Sequence, residues 1–377
     1  LVTLRSGGEL LDRALTLRFP GPASATGEDV AELHLHGGRS VVAAVLAALG
    51  AIEGLRHAAP GEFTRRAFEN GRIDLAEAEG LADLLTAETE AQRRAALELA
   101  GGALSRQVEV WQARLLAAAA QVEAALDFDD EADVQRSRQP EDKDELGRFA
   151  AELEQWLARP PAERLKDGVR IAIAGPPNAG KSSLLNILAG REAAITAEVA
   201  GTTRDLIEAP TAIGGAPFLL IDTAGLRDSG DPVEAIGVAR ARAAMETADL
   251  VLWVGAPAEA PRGAIRVHPK ADLGEPDGAA DVAVSAVTGA GIDTLVRLLL
   301  ERVRALLPRT GELAINARHR ALITECRDRL LEARDAADPL IAAEALRQAR
   351  TALDRITGRA GVEDMLDALF GRFCIGK

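Results

Sequence analysis

Two different hydrophobic rhythms divide the chain. Up to about Asn70 the pattern is mixed: Leu10 to Phe19 reads as a strand ended by Pro20-Gly21-Pro22, and Ala31 to His36 as another ended by Gly37-Gly38. An alanine-rich helix is predicted from Ser40 to Leu49. From Arg72 long helices take over. Leu104, Val108, Trp111, Leu115, Ala118, Val122 and Ala125 recur at steps of three and four, which makes one apolar stripe in need of a partner helix. Ala342, Leu346, Ala349, Leu353 and Ile356 repeat the step near the C-terminus and predict that partner.

Between the helical segments the rhythm is that of short apolar runs. Strands are predicted at Val169 to Ala174, Leu206 to Ile213, Pro217 to Ile221, Asp249 to Gly255 and Asp281 to Ala286, with a short run around Ile265 to Val267. Helices are predicted after Lys181, near Val233 and after Gly291, and Gly214-Gly215 reads as a hairpin turn. Such alternation implies a mostly parallel sheet whose ligands sit at the C-terminal ends of the strands. Pro160-Pro161 and Pro308 punctuate the edges of this unit. The predicted division is therefore 1–70, an α+β N-terminal domain; 71–167, the first part of a helical domain; 168–308, an inserted α/β domain; and 309–377, the second helical part.

The inserted unit carries the chemistry. GPPNAGKSS, Gly175 to Ser183, follows a strand and opens a helix with the spacing of a P-loop. Its glycines let backbone N–H groups wrap a phosphate, Lys181 can reach the β- and γ-phosphates, and the Ser182 hydroxyl suits magnesium. Asp222-Thr-Ala-Gly225 ends a later strand; there an acid can hold magnesium through water, and Gly225 can offer its amide to the γ-phosphate. Gly201-Thr-Thr-Arg-Asp205, between the two, suits a switch loop. GKSS, GTTRD and DTAG in that order point to a GTPase. Guanine choice falls to Pro269-Lys-Ala-Asp272 and Ser285-Ala286, where Asp272 can accept from guanine N1 and N2 and the stem of Lys270 can cover the ring. Pro269 stands where an asparagine is usual and cannot make its side-chain hydrogen bonds, which predicts a weakened guanine preference. Leu226 follows DTAG and cannot orient a water, so Glu234 is the candidate to do so; an acid in a first helical turn has a purely structural use as well. Asn178 offers an oxygen that could recruit a monovalent cation beside the β- and γ-phosphates.

Composition narrows the rest. The 377 residues exceed one ordinary core, and 47% hydrophobic with 27% charged residues describes a globular chain. A formal charge of −14 argues against a simple nucleic-acid binder. No apolar run reaches a membrane span and no signal segment opens the sequence, so a cytoplasmic location is expected. Leu1 opens the sequence in what reads as a strand already under way, which predicts a first domain that starts further upstream. Cys326 and Cys374 are too few for a disulfide framework. His34 and His36, at period two, share a strand face, but no third metal ligand is visible nearby.

These motifs, with TGEDVAELHLHGG (Thr26 to Gly38), PGEFTRRAFENGRIDLAEAEGLADLL (Pro60 to Leu85) and the terminal Phe373-Cys-Ile-Gly-Lys377, resemble the MnmE (TrmE) family of tRNA modification GTPases over nearly the whole chain. The resemblance implies an N-terminal domain binding 5-formyl-tetrahydrofolate, a two-piece helical domain and an inserted G domain. It implies a homodimer working with the FAD-containing partner MnmG to modify C5 of the wobble uridine in certain tRNAs, and hydrolysis stimulated by potassium when G domains meet. It assigns GTP contacts to Asn178, Ala179, Gly180, Lys181, Ser182 and Ser183; to Ala197, Glu198, Val199, Ala200, Gly201, Thr202 and Thr203; to Asp222, Thr223, Ala224 and Gly225; and to Lys270, Asp272, Ser285 and Ala286. Magnesium falls to Ser182 and Thr203, potassium to Asn178, Ala197, Val199 and Thr202, water orientation to Glu234, and folate to Glu32, Arg72 and Lys377. Two other readings stand beside this one: a GTP-dependent assembly switch with no one-carbon chemistry, which binding of formyl-tetrahydrofolate would separate, and a folate-dependent transferase with a regulatory G domain, which shares the donor and predicts transfer without GTP.

Overall fold

A computed structural model describes residues 1–127, 140–190, 207–223, 242–274, 280–309, 311–360, 366, 369–371 and 373. By packing they fall into two compact units: Leu1–Ala82 with Leu99–Ser137 and Ala336–Lys377, and Asp83–Glu98 with Arg138–Asp335. Chain order groups the helices before and after the inserted segment, whereas packing distributes them over both units.

In the first unit β1 (Val2–Ser6), β2 (Glu9–Phe19) and β3 (Val30–His34) form an antiparallel meander, with Leu15 opposite His34 and Phe19 opposite Val30. The helices α1 (Arg39–Gly50), α2 (Glu62–Glu69) and α3 (Leu75–Leu85) follow. The strand at β3 stops at His34, two residues short of the predicted end. His36 is therefore off the strand, where its backbone N–H and Nδ1 meet the Asp12 carboxylate at 2.9 and 2.7 Å. His34 Nε2 lies 3.0 Å from Glu32. The two histidines have separate carboxylate partners, and no metal-holding group of three His, Cys, Asp or Glu side chains occurs among the described residues.

The predicted helical stripe finds its predicted partner. α5 (Ala103–Asp127) packs along α11 (Pro339–Thr357), with Leu104, Val108, Trp111 and Leu115 buried on one side and Ala342, Leu346, Ala349, Leu353 and Ile356 on the other. α11 is delimited by its sequence. The Asp338 carboxylate accepts from the Leu340 N–H at 2.8 Å, Pro339 takes the first helical position where a missing N–H costs nothing, and Gly358 leaves the helix at φ 81°. Gln112 Nε2 donates to Asp354 across the pair at 2.6 Å.

The second unit combines α4 (Glu90–Ala100), α6 (Pro140–Leu157), α7 (Ala162–Lys166) and α10 (Ala317–Asp335) with a six-stranded sheet. Its strands are β4 (Val169–Ala174), β5 (Ile207–Ile213), β6 (Ala216–Asp222), β7 (Leu250–Val254), β8 (Ile265–His268) and β9 (Val282–Ala283), in the order β5-β6-β4-β7-β8-β9. All neighbours are parallel except β5 and β6, which the Gly214-Gly215 turn joins as an antiparallel hairpin. α8 (Lys181–Gly190) and α9 (Ile292–Val303) pack on the sheet through Leu184, Leu188, Leu295 and Leu299. β9 is shorter than the apolar run predicts, because Ser285 is drawn into a turn by its own hydroxyl, which accepts the N–H groups of Val287 and Thr288 at 3.2 and 3.1 Å. Cys326, buried on α10, has its thiol pushed up to about 12 by burial and is a packing residue.

Candidate nucleotide-binding site

β4 lies between β6 and β7, and every residue from Val169 to Ala174 except Arg170 is buried, so the chain leaves the middle of the sheet at Gly175. Gly175 has φ 147°, and a Cβ there would stand 2.0 Å from the Val254 carbonyl; no other residue fits without moving β7. Asn178 and Gly180 take φ 58° and 96° before α8 begins at Lys181. This alternation turns successive N–H groups towards one concave side, ahead of a helix N-terminus, which is how a backbone holds a phosphate chain. The Lys181 ammonium donates to the carbonyls of Gly175 and Pro176 at 3.0 and 2.7 Å, so it spans the loop that it serves.

β6 brings the second element alongside. Asp222 pairs with Ile173 in the ladder and is 2% exposed. Thr223 fixes the strand end by donating its hydroxyl to the Ile173 carbonyl at 2.8 Å. The Ser182 hydroxyl donates to Asp222 at 2.7 Å. A hydroxyl and a carboxylate joined in this way are hard oxygen donors at the edge of a phosphate cradle, and that donor set fits magnesium.

The third element comes from β8 and β9. Ser285 is fully buried and donates its hydroxyl to Asp272 at 2.5 Å. The Ala271 N–H reaches the Val284 carbonyl at 3.0 Å and the Val284 N–H reaches that of His268 at 2.8 Å, so the loop carrying Asp272 is stitched to the end of β9. Lys270, at φ 54°, donates its ammonium to the Asn178 carbonyl at 3.1 Å and joins this loop to the P-loop.

Asn178, Ala179, Gly180, Lys181, Ser182, Ser183, Asp222, Thr223, Lys270, Asp272, Ser285 and Ala286 thus lie on loops at the C-terminal ends of β4, β6, β8 and β9 and on the helix that follows β4. Ala197, Glu198, Val199, Ala200, Gly201, Thr202, Thr203, Ala224, Gly225, Leu226, Glu234, Cys374 and Lys377 lie outside the described residues. In the other unit Glu32 is exposed on β3. Arg72 is exposed in the turn after α2, its N–H bonded to the Ala67 carbonyl at 2.7 Å and its stem against Gly27, in the loop that leads into β3. An exposed carboxylate, met on one side by His34 Nε2 at 3.0 Å, and a guanidinium suit the N–H donors of a pterin and the carboxylates of its tail, so both residues fit a folate. Two features of the nucleotide site carried no signal in sequence: the Ser285 hub and the seating of Gly291 against the Ala283 carbonyl.

A family model described as the MnmE helical domain matches residues 75–374, and one described as the GTP-binding protein TrmE N-terminus matches residues 2–72. The chain belongs to the MnmE family. Its relatives include a protein named tRNA modification GTPase MnmE from Rhizorhabdus wittichii, 62% identical over 100% of this chain and 86% of that one. Proteins of the same name from Erythrobacter litoralis and Sphingopyxis alaskensis are 57% and 56% identical, over 99% and 98% of this chain and 89% and 92% of theirs. With MnmE membership the architecture has its family setting: a P-loop sheet in a helical frame, preceded by the TrmE-type meander. No helix among the described residues is long and apolar enough to cross a membrane.

Proposed function

We propose that the chain hydrolyses GTP with magnesium, that potassium stimulates hydrolysis by bringing two G domains together in a homodimer, and that it acts in the cytoplasm with an FAD-containing partner, MnmG. The pair would modify C5 of the wobble uridine in certain tRNAs by a (carboxymethyl)aminomethyl-type reaction, with a 5-formyl-tetrahydrofolate held by Glu32, Arg72 and Lys377. The observation that carries the GTP reading is the junction of three elements at one sheet edge: the P-loop with Lys181, the Ser182–Asp222 pair at 2.7 Å, and Asp272 held by Ser285 and tied to the P-loop through Lys270. Membership of a family of tRNA modification GTPases supports the rest.

The chain's own residues would divide the work as follows. Backbone N–H groups from Asn178 to Ser183 and the Lys181 ammonium bind the phosphates and orient the γ-phosphate for in-line attack. Ser182 and Thr203 would hold magnesium, with Asp222 acting through water, and the ion would supply charge neutralisation to the phosphates. Asn178, Ala197, Val199 and Thr202 would hold potassium, which would supply the charge that an arginine finger supplies elsewhere. Leu226 offers no hydrogen bond, so Glu234 orients the attacking water.

Hydrolysis by the purified protein in potassium and in sodium at matched ionic strength, with ATP as control, tests the reading. GTP turnover that depends on potassium and rises faster than linearly with protein concentration is expected, and Glu234→Ala is expected to cut it sharply while nucleotide affinity holds. Equal, slow turnover in both salts would remove potassium-driven pairing, and hydrolysis of ATP as fast as GTP would remove the nucleotide assignment.

A further inference from the structure

We infer that the base pocket reads guanine on its Watson–Crick edge alone and leaves N7 unread. This rests on the GTP reading above and adds the specificity of the same site. Guanine offers donors at N1 and N2 and the O6 acceptor on its Watson–Crick edge, and N7 as a further acceptor beside O6 on the major-groove edge. The acceptor for the first edge is built firmly: Asp272 is aimed by the fully buried Ser285 hydroxyl, itself fixed by the N–H groups of Val287 and Thr288. The Ala286 N–H takes no part in that turn, and a backbone donor of this kind suits O6.

The N7 side is different. The residue between the end of β8 and Lys270 is Pro269, which has neither an N–H nor a polar side chain. Among the described residues, two neighbouring donors are already engaged. The Lys270 ammonium donates to the Asn178 carbonyl and the Ala271 N–H to that of Val284. His268, the last residue of β8, shares the strand face of Arg266.

The proline has a structural use that explains how the pocket keeps its shape. Its ring fixes φ and holds His268 extended, and the chain then enters the left-handed turn at Lys270. The Leu273 N–H closes that turn on the Lys270 carbonyl at 2.9 Å. A covalent ring and backbone bonds do here what a side-chain amide would do by hydrogen bonding, and the cost is a donor towards N7.

Displacement of a ribose-labelled fluorescent GDP from the full chain by GDP, 7-deaza-GDP, IDP and ADP, at fixed magnesium, tests this. We expect 7-deaza-GDP to compete within about twofold of GDP, and IDP, which lacks the N2 amine, to bind about tenfold or more weakly, the size of one hydrogen bond to a charged acceptor. Pro269→Asn should introduce a preference of about fivefold or more for GDP over 7-deaza-GDP. Wild-type protein that binds 7-deaza-GDP fivefold or more weakly than GDP overturns the inference while leaving the GTP reading intact. Equal competition by GDP and ADP overturns both.

Discussion

Replacing Gly291 by alanine should damage the guanine pocket from a distance, through the backbone that joins it to Ser285. Gly291 caps α9 at φ 75°, and a Cβ there would lie 1.9 Å from the Ala283 carbonyl. Such contacts essentially never fall below 3.0 Å, so the backbone has to open by about 1.1 Å. Two costs follow. An L-residue in the left-handed region costs about 1–2 kcal/mol, and displacing packed backbone adds about 1–3 kcal/mol. The sum, roughly 2–5 kcal/mol, corresponds in a unit of this size to a Tm lowered by about 5–15 °C. The displacement does not stop at the helix. Between Ala283 and Gly291 the chain closes on Ser285, whose N–H bonds the Ala290 carbonyl at 3.0 Å and whose carbonyl accepts from Gly289 at 2.9 Å. A shift of 1 Å at either end misaligns the 2.5 Å contact that aims Asp272. Calorimetry with and without GDP, together with titration against GDP and ADP, reads both effects: the variant should melt lower, and its preference for GDP over ADP should fall about tenfold, the size of one charge-assisted hydrogen bond. A variant that melts within 2 °C of wild type and keeps its guanine preference would refute this reasoning.

Other perturbations separate the parts. Ser182→Ala removes a hard oxygen and should lower GTP turnover about tenfold or more while raising the magnesium needed for half-maximal rate; Ser182→Thr should retain activity, and a magnesium titration that coincides for all three proteins would count against the role. Leu353→Ala opens the fully buried α5–α11 interface and should cost about 2–5 kcal/mol in urea unfolding, with GDP affinity unchanged because the base and phosphate loops belong to the other unit. Glu62 is held down to about 2 by its hydrogen bond to Arg56, with further help from the Ala59 N–H. A folded-state value below the ordinary 4.5 contributes stability that is complete above pH 4.5 and is lost as pH falls towards 2. Glu62→Gln should therefore make the first unit somewhat less stable than wild type at neutral pH, converge with wild type as pH falls towards 2, and so flatten the acid limb over that window, whereas identical profiles would mean that Arg56 does not hold the carboxylate.

What the sequence made legible is what lies within a few turns of itself. The P-loop could be read because its glycines, lysine and serine fall within one short stretch and their strand and helix adjoin them. The α5–α11 pairing could be read because each stripe carries its own period. Even the cap on α11 is written locally, in Asp338, Pro339 and Gly358. His36 was misread for an equally local reason: alternation predicts a face only while the strand lasts, and a competing bond to Asp12 ends it at His34. Contacts that join distant stretches left no pattern. The Asp249 carboxylate accepts Arg164 Nε at 2.7 Å and the Arg170 N–H at 3.0 Å. It thereby ties α7, which chain order assigns to the helical segment, to the start of the strand that feeds the P-loop. A charge-assisted bond on a partly buried arginine is stronger than the surface pairs that abound on this chain. Yet 85 positions separate its partners, and no periodicity marks either residue. The proline at 269 is the converse case. The residue itself was conspicuous in sequence, but what it leaves standing, a pocket held by Ser285 and Lys270 that still presents Asp272, could be judged only once those partners were seen together.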